Sequence, residues 1–244
     1  MSVSLNHNLP TNNQLLAALP VEEYQRLAPH LELILLSQLQ ILYNMGEAIE
    51  YVYFPNQALV SLVSLLEDGS TTEVGIIGKD GMIGLPICWG GDSTNIQAIV
   101  QVPGDAMRMK AQVLKTEFSR PGELQRMLLL YTQALFSQVA QSVACNRHHN
   151  IEQRLARWLL TVQDQIQSEE LLLTQEFIAQ MLGTRRSGVT VAAMSLQQAG
   201  SISYSRGKIA IVDREKLKSS ACECYGIVKR EFPRLLSTSS DRIS

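Results

Sequence analysis

From Glu123 to Asn146 the chain carries neither proline nor glycine, and this uninterrupted stretch limits the possible architectures more than any other feature. Leu124, Leu128, Tyr131, Leu135, Val139 and Val143 recur at steps of three and four, which places them on one stripe of a helix. At ~1.5 Å per residue the helix would be roughly 36 Å long. Its polar positions are Gln125, Gln133, Ser137, Gln138, Gln141 and Ser142 rather than lysine and glutamate, and Leu129, Leu130 and Phe136 add further apolar surface. Such a helix can bury one face on its own domain and another on a partner. Leu124, Leu128, Tyr131, Leu135 and Val139 are the expected contacts between two copies, and a helix packed only within its own chain is the alternative.

What precedes the helix has a different period. Leu31–Leu36, Leu39–Tyr43, Tyr51–Phe54, Leu59–Leu66, Thr72–Ile77, Ile96–Val102 and Ala106–Met109 are short apolar runs divided by turn residues such as Glu67-Asp68-Gly69 and Pro103-Gly104-Asp105. Strands at near-regular spacing predict an antiparallel sandwich or barrel, with two short helices ahead of it at Asn12–Leu19 and Val21–Leu27. The expected division is a flexible tail (1–14), an antiparallel β domain (15–120), the long helix (121–147), a helical and winged domain (148–214), a C-terminal helix (215–236) and a second tail (237–244).

Charge separates these parts. The whole chain sums to −2, but residues 1–120 carry 12 acids and 6 bases, whereas 174–214 carry 2 and 5. An acidic half joined to a basic one is expected when only one part approaches phosphate. The first residues lack a basic region followed by an apolar one, and no run approaches the length of a membrane span, so the expected location is the cytoplasm. Four cysteines, Cys88, Cys145, Cys222 and Cys224, lack the paired C-x-x-C spacing of zinc sites. Cys222 and Cys224 fall on a helix predicted at Arg214–Phe232, where i,i+2 side chains diverge, and the junction Arg147-His148-His149-Asn150 reads as a solvated hinge. No metal site is expected. No set of nucleophile, base and orienting group stands out, which argues against an enzyme.

The segment Thr174–Asp213 is the most informative. Thr174 is a good N-cap, Glu176 suits the first turn, Phe177, Ile178, Met181 and Leu182 form an apolar face, and Gly183 ends the helix. A second helix starts near Thr184 or Arg185 and ends at Ala199 before Gly200. Helix, glycine turn, helix is the helix-turn-helix pattern. Val189, Ala192, Ala193 and Leu196 form the buried stripe of the second helix, while Ser187, Thr190, Met194 and Gln198 lie opposite, with Arg186 on the flank. That outward face has hydrogen-bonding side chains and an arginine but almost no acid, as a major-groove reader needs. Ser201–Tyr204, a turn containing Arg206, Gly207 and Lys208, and Ile209–Val212 then read as strand, basic turn and strand, which is a wing. Gly188 within the helix implies a close approach, either to the preceding helix or to DNA.

In this order of parts the chain resembles the cyclic-AMP receptor protein/Fnr transcription regulators, most strongly over Glu152–Val212, including Gln153–Leu160 and Thr174–Thr190. The resemblance implies an α+β fold: an N-terminal β-roll of the cyclic-nucleotide-binding kind, a long dimerisation helix and a C-terminal winged helix-turn-helix. It implies double-stranded DNA and a second copy as partners, with RNA polymerase beside them. Thr184, Arg185, Arg186, Ser187, Thr190, Tyr204, Arg206 and Lys208 are the implied DNA contacts, with Arg186 on the family's guanine-reading arginine and Val191 in place of a second arginine. The family's nucleotide cassette has a Gly-Glu pair and, some ten residues on, an arginine followed by serine or threonine. Leu85, Asn95 and Ile96 stand there instead, so no cyclic nucleotide is expected in the usual mode and the effector is left unnamed. Gly75, Gly78, Gly81 and Gly84 then read as turns. The Fnr iron-sulfur sensor needs N-terminal cysteines, which this sequence lacks. A winged helix that contacts protein rather than DNA is the alternative reading.

Overall fold

The computed structural model describes residues 11–166, 170–205 and 207–236. Each of the seven expected strands forms: β1 (Glu32–Leu36), β2 (Ile41–Tyr43), β3 (Tyr51–Pro55), β4 (Leu59–Leu65), β5 (Thr71–Ile77), β6 (Gln97–Val102) and β7 (Gly104–Lys110). They pair antiparallel in two sheets, β1-β7-β3 and β2-β6-β4-β5. Val52 and Phe54 from the first sheet share a buried core with Val60, Ala98 and Val100 from the second. This is the β-roll. Two short helices, α1 (Gln14–Ala17) and α2 (Val21–Leu27), cover one end, and a further helix that the apolar pattern does not announce, α3 (Ala111–Phe118), follows β7.

The expected tail at 1–14 is too long. Asn13 is fully buried: its amide donates to the carbonyls of Pro55 (3.0 Å) and Gly81 (2.9 Å), and its Oδ1 accepts from Leu16 N as the cap of α1. A buried side-chain amide needs those partners, so the chain at Asn13 is fixed to the β-roll.

The long helix α4 spans Glu123–His148. Its N-terminal amides, those of Glu123 and Leu124, are satisfied by the carboxylate of Glu23 from α2, at 2.9 and 2.8 Å, which is where a helix favours an anion. Leu124, Leu128, Tyr131 and Leu135 are buried in the core of their own β-roll, and Tyr131 Oη donates to the Met82 carbonyl at 3.0 Å. Gly75 lies inside β5, not in a turn. A Cβ there would meet Gln138 Oε1 at 3.1 Å, and that same oxygen accepts from Ile76 N at 3.0 Å. The missing side chain is what lets α4 lie against the sheet.

After α5 (Ile151–Gln165) come β8 (Glu170–Leu172), α6 (Gln175–Met181), α7 (Arg186–Gln198), β9 (Ile202–Ser205), β10 (Lys208–Ile211), α8 (Arg214–Ser220) and α9 (Cys224–Leu236). The single helix expected over 215–236 is therefore two, interrupted at Ala221–Glu223, with Ala221 in extended backbone. Helix α9 folds back along α4, bringing Phe232 to 5.9 Å from Tyr131 between ring centroids. The core of this half is shared with the β-roll: Leu59, Val63 and Ile76 pack in one cluster with Trp158, Leu159, Val189 and Leu196. At that boundary Trp158 Nε1 donates to Glu73 Oε1 at 2.9 Å and Ser61 Oγ lies 2.6 Å from Glu73 Oε2. Enclosure pushes the Glu73 carboxyl up to about 7, against the hydrogen bonds from Ser61 and Trp158 and the charge of Arg157.

Candidate nucleic-acid interface

The recognition unit is assembled from caps and close approaches that the sequence specifies. Asn150 and Gln153 form a reciprocal capping box that starts α5. The guanidinium of the buried Arg154 donates to the carbonyl of Leu182 at the end of α6, which holds the turn. Thr174 Oγ1 accepts from Phe177 N at 3.1 Å and begins α6. Gly183 sits at φ +56°, a left-handed conformation that costs an L side chain ~1–2 kcal/mol, so the chain can turn sharply into α7. A Cβ at Gly188 would lie 2.6 Å from Ile151 Cδ1. Within the chain, the close approach that this glycine allows is thus to the start of α5 and not to α6.

Helix α7 buries Val189, Ala192, Ala193 and Leu196, the four positions expected. Arg185, Arg186 and Ser187 are exposed at its N-terminal end. Val191 and Met194 are 69% and 57% exposed, so Val191 belongs to the outward face as well. Thr184 and Thr190 are half-buried, and Thr190 Oγ1 lies 2.8 Å from Gln175 Oε1 and 3.1 Å from the Arg186 carbonyl. Its one proton is spent within the domain, on one of these two acceptors. In the wing, β10 pairs with β9 and also with β8, giving the sheet β8-β10-β9. Tyr204 Oη donates to the Leu173 carbonyl at 3.1 Å, and Lys208 Nζ pairs with Glu170 at 3.2 Å. Strand β8 supplies that acid, and a three-residue strand with a remote partner has no signal of its own in the sequence. Arg206 lies outside the described residues.

Helix α4 presents a different face from the expected one. Leu124, Leu128, Tyr131 and Leu135 are spent on the β-roll and Val139 is half-buried, whereas Leu129, Phe136 and Val143 are 53%, 72% and 67% exposed. Seven-residue steps keep these three nearly in line. Beside them a cavity of about 530 Å³ opens between α4 and the β-roll, lined by Tyr43, Leu62, Ile77, Met82, Leu85 and Phe136 among others. None of its lining residues is charged. Leu85 is buried there and Ile96 reaches its wall, while Asn95 is exposed away from it.

The histidine junction and the C-terminal cysteines depart from the sequence reading. Helix α4 continues through His148, and His149 is half-buried rather than solvated. Cys222 falls in the break between α8 and α9 and Cys224 opens α9, so their side chains are not held apart on one helix. Ligand atoms of Cys145, His149, Cys222 and Cys224 all lie within 4.8 Å of one another.

Residues 153–220 match the Crp-like helix-turn-helix domain. Among solved structures the chain is similar to FixK2 from Bradyrhizobium japonicum at 18% identity, with a TM-score of 0.68 over 79% of this chain and 98% of that one. It is similar also to two regulators from Thermus thermophilus. TTHB099 of the CRP family gives 18% identity and a TM-score of 0.65 over 77% of this chain and 96% of that one. TTHA1359 of the CRP/FNR family gives 19% and 0.64 over 78% and 98%. No curated protein matches the sequence. The chain carries a Crp-like helix-turn-helix domain, and over 77–78% of its length its fold is like that of these CRP and CRP/FNR family structures. No helix among the described residues is long and apolar enough to cross a membrane.

Proposed function

We propose that this chain is a transcription regulator that binds a near-palindromic operator as a homodimer, with Arg186, Ser187 and Thr190 reading base edges from α7. The observation that carries this reading is the outward face of α7: Arg185, Arg186 and Ser187 stand exposed at its N-terminal end without an acidic residue on the helix. In a helix-turn-helix that end enters the major groove, where arginine pairs with guanine O6 and N7. Arg185 and the wing, with Arg206 and Lys208, position the phosphate backbone. Tyr204 supports the wing through its bond to Leu173 and acts on DNA indirectly.

The dimer is built on the Leu129–Phe136–Val143 face of α4, which Val139 borders, and two copies related by a twofold axis place the two α7 helices about one turn of DNA apart. RNA polymerase is a further partner in this reading. The effector domain does not take a cyclic nucleotide in the usual mode, because an uncharged apolar cavity offers nothing to offset the desolvation of a phosphate. Enrichment of bound fragments from random DNA tests the reading. The expected result is a near-palindrome, with affinity that falls steeply as salt rises through counterion release. Failure to enrich any sequence, or binding indifferent to salt, would instead favour a winged helix that contacts protein.

A further inference from the structure

Two segments remote in sequence meet at the end of α4. Cys145 lies on the last turn of α4, and His149 is the C-cap, in extended backbone, with its N–H donating to the Cys145 carbonyl at 3.1 Å. Cys222, in the break after α8, and Cys224, at the start of α9, close over them. Cys145 Sγ lies 3.6 Å from Cys222 Sγ, and Cys224 Sγ lies 3.5 Å from His149 Nδ1. The three cysteines are buried and His149 is half-buried.

We propose that Cys145, His149, Cys222 and Cys224 bind a single zinc ion as a closed tetrahedral site of three thiolates and one imidazole. The dimensions fit. Zinc–sulfur bonds of ~2.3 Å and zinc–nitrogen bonds of ~2.0–2.1 Å give a tetrahedron with edges of about 3.5–3.8 Å, which is the spacing of both close pairs. An iron-sulfur cluster interposes irons and sulfides between its thiolates and needs them farther apart than this set allows. The ligand chemistry agrees: soft thiolates with one imidazole in tetrahedral array select zinc over the hard cations, and four protein ligands leave no open position for catalysis.

The surroundings of these four side chains are those of a ligand set. Nε2 of His149 lies 3.2 Å from the Glu223 carboxylate, so Nε2 carries the proton and Nδ1 turns its lone pair toward the sulfurs, as the carboxylate partners of zinc-bound histidines require. Gln141 Nε2 donates to Cys224 Sγ at 3.0 Å. On binding, three thiol protons leave to solvent and the site carries one net negative charge. The charges of Arg154 and Arg157 act on Cys145, and among the described residues the buried Nε of each has no hydrogen-bond partner. An anionic centre beside them compensates part of their desolvation.

The position gives the ion its role. Everything from Asn150 to Ala221, which is the whole winged helix, lies between His149 and Cys222. The ion therefore ties together the two points where the chain enters and leaves that domain, and fixes it against the end of α4.

Full-length protein purified without oxygen should contain one zinc per protomer. Metal-free protein given cobalt(II) should develop the intense visible absorption and thiolate charge-transfer bands of a tetrahedral cobalt-thiolate centre. Cys145→Ser and Cys224→Ser should each abolish stoichiometric zinc. Glu223→Gln, at an exposed side chain whose loss leaves the fold intact, should still fill with zinc at saturation but release it to a competing chelator with an affinity about 10–100-fold lower. Substoichiometric zinc with no tetrahedral cobalt spectrum overturns the proposal. So does bound iron with acid-labile sulfide, or zinc retained one to one by the cysteine variants.

Discussion

Phenylalanine at position 136 offers the sharpest test of how two copies associate. Its side chain exposes 72% of its surface, which for a phenylalanine of ~200 Å² is about 140 Å². Covering that area in a partner contributes ~3.5 kcal/mol at ~25 cal/mol per Å², of which alanine retains a minor part. Phe136→Ala should thus remove about 2–3 kcal/mol per copy. A twofold interface contains the residue twice, so dimerisation weakens by roughly 4–6 kcal/mol, or three to four decades in Kd at ~1.4 kcal/mol per decade. Sedimentation over a dilution series measures this directly. Leu128→Ala supplies the contrast, because Leu128 is buried in the β-roll core. It should cost ~2–5 kcal/mol of protomer stability and leave the association of folded protomers unchanged. A Phe136→Ala protein with the wild-type Kd, or a Leu128→Ala protein that stays folded yet dissociates, would refute the assignment of faces on α4.

Other consequences can be checked separately. Arg186→Ala should weaken operator binding by ~1–3 kcal/mol and relax the preference at one base pair of each half-site, read by competition between operator variants. Glu73 titrates at about 7 in the folded protein against an ordinary value of 4.5. Its protonated form is thus favoured by folding, and its contribution, complete below about 4.5, is lost as pH rises toward 7. Denaturant titrations across that window should show stability falling by up to ~1.4 kcal/mol per pH unit, and Glu73→Gln should flatten the slope. Gly183→Ala meets both a left-handed backbone and Thr72 Oγ1, 2.6 Å from the added Cβ. It should cost ~1–3 kcal/mol, with Gly200→Ala, left-handed but meeting only Lys216 Nζ at 3.6 Å, at the lower end of that range.

The strands, the long helix and the helix-turn-helix are legible because each is written in a local code. Short apolar runs between Gly/Asp turns mark the strands, a proline-free stretch marks α4, and Thr174, Gly183 and Gly200 punctuate the helix-turn-helix. Partner choice is not local. The most apolar stripe of α4 has the spacing of a dimer seam, yet the β-roll claims most of that stripe, and of the three exposed residues, which recur every seven positions, the three-and-four reading takes in only Val143. The missing side chain at Gly75 is a contact requirement of α4, which no turn pattern can reveal. Strand β8 becomes a strand only by pairing with β10, some forty residues on. Spacing alone separates the cysteines, but Cys222 and Cys224 flank a helix break and meet Cys145 and His149 only once α9 has folded back on α4.

The mixed core has a consequence for how this protein can be divided. Leu59, Val63 and Ile76 on the β-roll are covered by Trp158, Leu159 and their neighbours, so neither half finishes its own surface. A cut near Asn150 would leave each fragment with an open apolar face prone to aggregation. Heating should melt the two halves in one calorimetric transition. A mutation that loosens the winged helix would then be felt as lost stability in the β-roll, and selection on one half constrains the sequence of the other.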